Sequence, residues 1–303
     1  GKGVVIAVLD TGMDMDHPEL SDSMWLHPNE DCDNGIDDDS NGLIDDCRGW
    51  DFYNDDNNPD DDNGHGTHVA GIIAAEAAPA SELEDGVAGV APGVTIMPLK
   101  VLSASSSGSI LDVIAAIDYA VEQDVDIISM SLGASTDLGP GMVQAIEEAI
   151  AADIIVVSSG GNSFAYSNVT NYPAAYDGVI GVGATTITDE HACFSNTGDY
   201  IDIVAPGATR YNCNGLTSGI MSTGNDGDYY SELGTSMSTP HVSGVLALIL
   251  GANKTITAAQ ATDILYRSAR DLGDPGRDDT FGNGLADAYA ALFPPKLAFD
   301  EPL

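Results

Sequence analysis

The sequence predicts an α/β fold with three layers, in which a mainly parallel central sheet carries helices on both faces. Short apolar, β-branched runs recur along the chain, and the first of them is VVIAVL at residues 4–9. Strands buried on both faces have this continuous apolar pattern. Segments with apolar residues at helical spacing separate several of the runs. Strand–helix–strand alternation of this kind is typical of a parallel sheet.

The predicted elements follow one another in a regular order. The predicted strands are residues 4–9, 94–102, 125–130, 154–157, 179–182 and 201–204. The predicted helices are residues 110–121, 142–150, a helix from about 236 through 248, 257–269 and 284–292. Ligands of such sheets bind beyond the carboxyl ends of the strands. Residues directly after each predicted strand are therefore the first candidates for a site.

The charge of the chain excludes several classes of partner. Its 303 residues include 9 lysines and arginines and 48 aspartates and glutamates, which gives a formal net charge of −39. Nucleic acid is excluded as a direct partner because phosphate binding needs clustered cations, and docking on an anionic membrane is disfavoured. No apolar run reaches about 18 residues, so we expect no membrane-spanning helix. Bound metal, a saline or acidic habitat, and solubility all stay open as reasons for the acid excess.

The cysteine spacing bears on the redox environment. The four cysteines are Cys32, Cys47, Cys193 and Cys213. Neither neighbouring pair has Cys-x-x-Cys spacing, which argues against a zinc ribbon or a redox motif. Disulfides Cys32–Cys47 and Cys193–Cys213 would each close a short loop in an oxidising compartment. The alternative is a cytosolic protein with four free thiols.

Three glycine-flanked motifs contain an acid, a histidine and a serine. Asp10 ends the first predicted strand in VLDTG, His65 lies in NGHGTHVAG, and Ser236 lies in GTSMSTPHV. A serine hydroxyl is a poor nucleophile at neutral pH, so it needs a base, and the base needs a partner that fixes its tautomer. Histidine suits the role because its ordinary pKa lies near the working pH. Proline is tolerated near the start of a helix, so Pro240 predicts that a helix begins near Ser236 and directs its positive dipole end there.

In the order Asp, His, Ser, these motifs resemble those of the subtilisin-like serine proteases, the subtilase family. The resemblance extends from residue 2 to about residue 292. It implies one subtilisin-like catalytic domain over residues 1–292, with an acidic insertion at about residues 30–62. Residues 293–303 would then be a C-terminal tail.

The resemblance also assigns roles in catalysis. Ser236 is expected to attack the scissile carbonyl, and His65 to take its proton and return it to the leaving amine. Asp10 is expected to orient His65. Asn162, in SSGGN after a predicted strand, matches the asparagine of the family's oxyanion hole, with the backbone N–H of Ser236 as the second donor.

Substrate contacts are implied by the same resemblance. The expected substrate-binding residues are Ser131, Leu132, Gly133, Gly160, Gly161, Asn171, Gly108 and Ile110. Residues 131–133 would pair with the substrate backbone as an added strand and, with residues 160–161, would form the wall of the pocket for the residue before the cut. Gly108 and Ile110 would face the pocket three residues further upstream. Asn171 would lie nearest the floor of the pocket for the residue before the cut. Because the Asn171 side chain is neutral, we expect broad specificity that favours apolar or medium-sized residues at that position.

The acidic insertion contains a pattern of calcium ligands. The candidate ligands are Asp37, Asp39, Asn41, the backbone carbonyl of Leu43, and Asp45. Alternating oxygen ligands ahead of a turn glycine, here Gly42, are used by EF-hand loops, and hard oxygen ligands select calcium. The match to the EF-hand pattern ends at the twelfth position of that loop, where Arg48 replaces the usual glutamate. We therefore expect a related calcium loop closed by another acid; the alternative is a solvated acidic loop.

The resemblance implies a secreted, calcium-dependent endopeptidase that acts as a monomer on protein or peptide substrates. An inhibitory N-terminal propeptide is expected outside this sequence. One alternative is a catalytically silent subtilase-fold calcium-binding module, but such relatives usually lack a triad residue, and Asp10, His65 and Ser236 are all present. Another is a serine esterase, which usually shows Gly-x-Ser-x-Gly, and that motif is absent around Ser236. His68 is expected to be a buried structural histidine.

Overall fold

A computed structural model describes residues 1–76, 86–212 and 216–293. The strands of its central sheet are β1 (Val5–Asp10), β2 (Trp50–Asp51), β3 (Thr95–Lys100), β4 (Ile127–Met130), β5 (Ile155–Ser159), β6 (Ile180–Thr185) and β7 (Ile203–Pro206). Within the described residues these seven strands are all parallel, in the spatial order β2–β3–β1–β4–β5–β6–β7. The six predicted strands are confirmed, and the short edge strand β2 is additional.

Six α-helices occur in the same three ranges of the chain. They are α1 (His65–Ala74), α2 (Ile110–Glu122), α3 (Pro140–Ala151), α4 (Thr235–Ala252), α5 (Ala258–Ser268) and α6 (Ala288–Leu292). Short 3₁₀ turns lie at Ser21–Ser23 and Asn225–Gly227. The last helix is shorter than predicted because Leu285 instead forms bridges to Val204 and Arg270.

The helices cover both faces of the sheet, which confirms the three-layer prediction. On one face, α1, α4 and α5 bury a core that includes Ile6 and Val8 of β1. On the other face, α2 and α3 bury a core that includes Ala7 and Leu9 of the same strand. Successive strand side chains point to opposite faces, so β1 contributes to both cores and must be apolar throughout.

Two antiparallel hairpins follow the sheet. They pair β8 (Arg210–Asn212) with β9 (Leu216–Ser218), and β10 (Ile220–Thr223) with β11 (Tyr229–Glu232). The second hairpin is attached to α1, because the Ser222 hydroxyl donates to the carbonyl oxygen of His68 and the Thr223 hydroxyl to that of Thr67, each at 2.8 Å. It therefore lies directly beside the helix that begins at His65.

The Cys32–Cys47 disulfide is present and joins the two ends of the acidic loop, with 5.7 Å between the Cα atoms. The predicted Cys193–Cys213 disulfide involves Cys213, which lies outside the described residues. The predicted tail lies outside them too, apart from Phe293. In the described part of the chain, no helix has both the length and the apolar composition that a membrane span requires.

Candidate active site

Asp10 and His65 form a close pair at the carboxyl edge of the sheet. Asp10 ends β1, an interior strand of the sheet, and is fully buried. Its Oδ1 lies 2.6 Å from Nδ1 of His65 and accepts a 2.8 Å hydrogen bond from the backbone N–H of Thr11. A proton on Nδ1 that faces this carboxylate leaves Nε2 of His65 as the basic nitrogen.

The start of α1 is fixed by one carboxylate and one glycine. Asp61 accepts hydrogen bonds of 2.9 Å from the backbone N–H groups of Gly64 and Thr67, which a helix N-terminus leaves without intrahelical partners. A Cβ on Gly66 would stand 2.1 Å from the carbonyl oxygen of Gly12. Glycine therefore lets α1 approach the loop after β1 closely enough for His65 to reach Asp10.

Neighbouring charges decide the protonation of His65. Burial, the largest influence, lowers the pKa of His65, but the charge and hydrogen bond of Asp10 oppose it. Together with the charges of Glu232 and Asp61, Asp10 raises the pKa of His65 to about 9. His68, one turn further along, is fully buried as predicted, and burial lowers its pKa to about 4. His68 is therefore neutral at working pH, whereas His65 can carry a proton.

A buried lysine that the sequence did not single out supports the same edge. Lys100 ends β3 directly opposite Asp10 and is 1% exposed. Its Nζ donates hydrogen bonds to the carbonyl oxygens of Thr11 and Leu102 and to the carboxylate of Asp62, at 2.7, 2.9 and 2.7 Å. Lys100 thus ties the loop after β1 to the segment that precedes α1.

Ser236 is the second residue of α4, so the predicted helix start is confirmed to within one residue. Its hydroxyl donates to the carbonyl oxygen of Ser131 at 3.2 Å. Within the described residues it makes no hydrogen bond to His65, although both side chains line the same cleft. Catalytic hydrogen bonds are often long or misaligned before substrate binds.

Pro240 is tolerated for a reason that the sequence did not show. It is the sixth residue of α4, beyond the first turn, so its missing N–H leaves the carbonyl oxygen of Ser236 without a helical donor. The hydroxyl of Ser131 donates to that oxygen at 2.8 Å. One side chain at the end of β4 therefore replaces the bond that the proline removes.

Asn162 lies just beyond β5 and faces the start of α4. Its Oδ1 accepts hydrogen bonds from the backbone N–H and the hydroxyl of Thr235, at 2.8 and 3.0 Å. The Nδ2 group makes no hydrogen bond within the described part of the chain. This orientation leaves an amide donor free next to Ser236.

A cleft of 480 Å³ runs past His65 and Ser236. The predicted substrate-binding residues that line it are Ser131, Leu132, Gly133, Gly108 and Ile110. The structure therefore brings the predicted strand-pairing segment and the predicted upstream pocket to one groove with His65 and Ser236.

The other three predicted substrate contacts are grouped beside this cleft. Nδ2 of Asn171 donates to the carbonyl oxygen of Ser159 at 2.7 Å. A Cβ on Gly133 would stand 2.3 Å from that nitrogen, and a Cβ on Gly161 would stand 3.1 Å from the Cβ of Asn171. A Cβ on Gly160 would stand 2.5 Å from Cδ1 of Ile201. The side chain of Asn171 thus lies between Gly133 and Gly161 and contacts both.

Residues 1–284 match the sequence profile of the subtilase family. The chain belongs to the subtilase family. It is 42% identical over 298 residues to an intracellular serine protease of Paenibacillus polymyxa, which covers 94% of this chain and 79% of the relative. It is 34% identical over 293 residues to subtilisin DY of Bacillus licheniformis, with 96% and 91% covered. The major intracellular serine protease of Bacillus subtilis is 40% identical over 253 residues, with 82% and 69% covered. This subtilase is a serine endopeptidase.

The acidic insertion of this subtilase gathers part of the predicted ligand set. Carboxylate oxygens of Glu30, Asp37 and Asp39 lie within 4.8 Å of one another. Glu30 precedes the loop pattern, and the sequence did not single it out because it lies outside the EF-hand spacing. It joins the loop through Oε1, which accepts the backbone N–H groups of Asp38 and Asp39 at 2.9 and 3.2 Å.

Two of the other predicted ligands, Asn41 and Asp45, accept hydrogen bonds within the loop. Oδ1 of Asn41 accepts the backbone N–H of Leu43 at 2.7 Å. The carboxylate of Asp45 accepts the backbone N–H groups of Asn34 and Gly35, at 3.0 and 2.9 Å. Among the described residues, Asp45 is not part of the cluster of Glu30, Asp37 and Asp39.

Buried oxygen atoms without partners show that the loop fits a cation. Oε2 of Glu30 and Oδ1 of Asp46 are buried and make no hydrogen bond within the described residues. The other oxygen of Asp46 accepts from the Tyr119 hydroxyl of α2 at 2.7 Å, which anchors the loop to the domain. A buried carboxylate oxygen without a partner is costly, and a hard divalent cation satisfies it.

Proposed function

We propose that this subtilase is a secreted, calcium-stabilised serine endopeptidase that cleaves peptide bonds through an acyl-enzyme. Nε2 of His65 takes the hydroxyl proton of Ser236 while Oγ bonds to the scissile carbonyl carbon. The carbon–nitrogen bond then breaks, and His65 gives the proton to the leaving amine. Water repeats the attack with His65 as base, which releases the acid and restores Ser236.

The observation that carries this proposal is the 2.6 Å contact between buried Asp10 and His65, in the same cleft as Ser236. Asp10 holds the imidazole so that Nε2 faces the cleft, and its negative charge favours the imidazolium that forms when Ser236 loses its proton. The Ser236 hydroxyl, which donates to the Ser131 carbonyl oxygen at 3.2 Å, must turn from that oxygen to His65 for the reaction.

The proposed oxyanion hole combines Nδ2 of Asn162 with the backbone N–H of Ser236. Support comes from the Thr235 hydrogen bonds, which hold Oδ1 of Asn162 and turn Nδ2 away from them. The backbone N–H of Ser236 is in the first turn of α4, where the helix leaves N–H groups free and its dipole favours a negative charge. Both donors act on charge that develops only during the reaction.

Substrate recognition is proposed to rest mainly on backbone pairing with residues 131–133. The side chain of Asn171, between Gly133 and Gly161, limits the depth available to the residue before the cut. It also offers no charge. Broad specificity with apolar or medium-sized residues at that position follows.

Calcium is proposed to bind at Glu30, Asp37 and Asp39, with Asp46 beside them, rather than through Asp45. Bound calcium would neutralise carboxylates that otherwise repel one another, and so stabilise the loop. Support for an oxidising compartment comes from the Cys32–Cys47 disulfide, although two relatives are named as intracellular proteases.

The proposed organisation is one catalytic domain over residues 1–292 that acts as a monomer on protein or peptide substrates. An inhibitory propeptide is proposed on the family resemblance alone.

Hydrolysis of an unstructured protein such as casein tests the proposal. Calcium-loaded enzyme is compared with Ser236→Ala, each with and without excess chelator. Cleavage that requires Ser236 and declines on chelation is expected. Cleavage by the Ser236→Ala variant contradicts the assigned nucleophile, and cleavage that survives chelation contradicts the calcium site alone.

A further inference from the structure

Glu232, the last residue of β11, is a half-buried carboxylate that the proposed reaction does not use. It lies four residues before Ser236 in the chain. Within the described residues its carboxylate makes no hydrogen bond or ion pair. The group is therefore free to interact with a bound molecule.

The β10–β11 hairpin directs Glu232 toward His65. Tyr230 lies on the same face of β11 as Glu232, since side chains two residues apart in a strand share a face. The ring of Tyr230 packs 5.1 Å from that of His68, and its hydroxyl stands 2.8 Å from where a Cβ on Gly64 would be. The face of β11 that carries Glu232 is thus turned toward the first turn of α1.

The electrostatics of the two side chains agree with this placement. The charge of Glu232 contributes to the raised pKa of His65. Burial raises the pKa of Glu232, and the charge of His65 opposes that rise. His65 therefore has Glu232 nearby as a second carboxylate in addition to Asp10.

Glu232 lies outside the substrate cleft, although its charge acts on His65. The cleft is lined by residues 106–110 and 131–134, together with His65 and Ser236, and Glu232 is not among its described lining residues. In the proposed binding mode the residues before the cut occupy this cleft, so the residues after the cut lie outside it, where the β10–β11 hairpin borders α1.

We propose that Glu232 is a specificity-determining residue that favours lysine or arginine immediately after the scissile bond. An ammonium or guanidinium group there gains an ion pair that a neutral side chain lacks, while a glutamate is repelled. The inference rests on the proposed function, because it requires His65 and Ser236 to cleave an extended peptide.

Internally quenched peptides that differ only in the residue after the cut, Lys, Gln or Glu, provide the test. The enzyme is assayed at low ionic strength, and mass spectrometry verifies the cleaved bond. We expect kcat/KM to favour Lys over Glu about tenfold, with Gln between them. The preference should shrink in high salt, because screening weakens a half-exposed pair.

Two variants separate a local charge effect from a general one. Glu232→Gln keeps the shape of the side chain and is expected to reduce the Lys-to-Glu ratio to about twofold or less. Glu122→Gln, at the exposed end of α2, removes the same charge elsewhere and is expected to leave the ratio unchanged.

The possible results distinguish the inference about Glu232 from the proposed endopeptidase function. Ser236-dependent cleavage with equal kcat/KM for the Lys and Glu peptides overturns this inference and leaves the proposed function standing. A ratio that falls equally in both variants also overturns it. The absence of any Ser236-dependent cleavage overturns the proposed function and the inference together.

Discussion

Ser131 and Ser236 exchange two hydrogen bonds. The Ser131 hydroxyl donates to the Ser236 carbonyl oxygen at 2.8 Å, and the Ser236 hydroxyl donates to the Ser131 carbonyl oxygen at 3.2 Å. The first bond supplies the donor that Pro240 removes from α4, and the second holds the hydroxyl at the end of β4. The sheet and the helix that carry the site are thereby joined at the proposed nucleophile.

Replacing Ser131 by alanine tests this junction. The Ser236 carbonyl loses its donor, so we expect the free energy of unfolding to fall by about 1–2 kcal/mol. Denaturant unfolding in a Ser236→Ala background, which prevents self-digestion, measures the change. Ser135→Ala is the matched control, because Ser135 is exposed in the same loop. Equal stability of the two variants would contradict the account.

The charge around His65 predicts an alkaline enzyme. General-base catalysis requires neutral His65, so protonation below its pKa of about 9 abolishes activity. The kcat/KM of the free enzyme is therefore expected to rise with pH, with a midpoint at about 9. Removing the negative charge of Glu232 by Glu232→Gln destabilises the imidazolium and should move the midpoint to lower pH. A wild-type midpoint at or below the ordinary histidine pKa of 6.5 would contradict the assigned environment.

Asn162 is expected to act on the transition state rather than on substrate binding. The Asn162→Ala variant removes the side-chain donor of the oxyanion hole, so kcat should fall by about 10²–10³. KM should change little, because the donor meets negative charge that the ground state lacks. Steady-state kinetics on one peptide substrate measure both constants. A large change in KM with kcat preserved would instead assign Asn162 to substrate binding.

Calcium binding separates the two candidate ligand sets. Calorimetric titration of Glu30→Gln should show at least about tenfold weaker calcium binding than wild type, since it removes a cluster carboxylate. Asp31→Asn, an exposed neighbour outside the cluster, should bind as wild type does. Wild-type stability should rise by about 2.7 kcal/mol when calcium is at one hundred times its dissociation constant. Weaker binding by Asp45→Asn with Glu30→Gln unaffected would restore the ligand set expected from spacing.

Elements buried on both faces were predictable from the sequence. The strand β1 appears as a continuous apolar run because Ile6 and Leu9 enter opposite cores. The short β2 and the β10–β11 hairpin lack this signal, since half-exposed residues such as Tyr229 and Glu232 carry little apolar pattern. The hairpin is held by hydrogen bonds to α1, and β2 by its pairing with β3; no local sequence pattern encodes either contact.

The residues of the candidate site likewise include some that the sequence predicted and others that it did not. Asp10 and Ser236 lie where the local sequence predicts a strand end and a helix start, whereas His65 was predicted from its motif and not from a predicted α1. Glu30 and Lys100 were missed because their roles depend on residues that are distant in the chain or lie outside the loop spacing. Lys100, for example, matters only because β3 lies beside β1.

The central claim is that Ser236 is the nucleophile and that His65 activates it. A serine-directed organophosphonofluoridate forms a covalent bond to an activated serine oxygen with loss of fluoride, and peptide mass spectrometry locates the adduct. The account predicts one adduct per chain, on Ser236, with much slower labelling in His65→Ala and none in folded Ser236→Ala. An unlabelled Ser236 in folded, calcium-loaded enzyme, or an adduct at another residue, would contradict it.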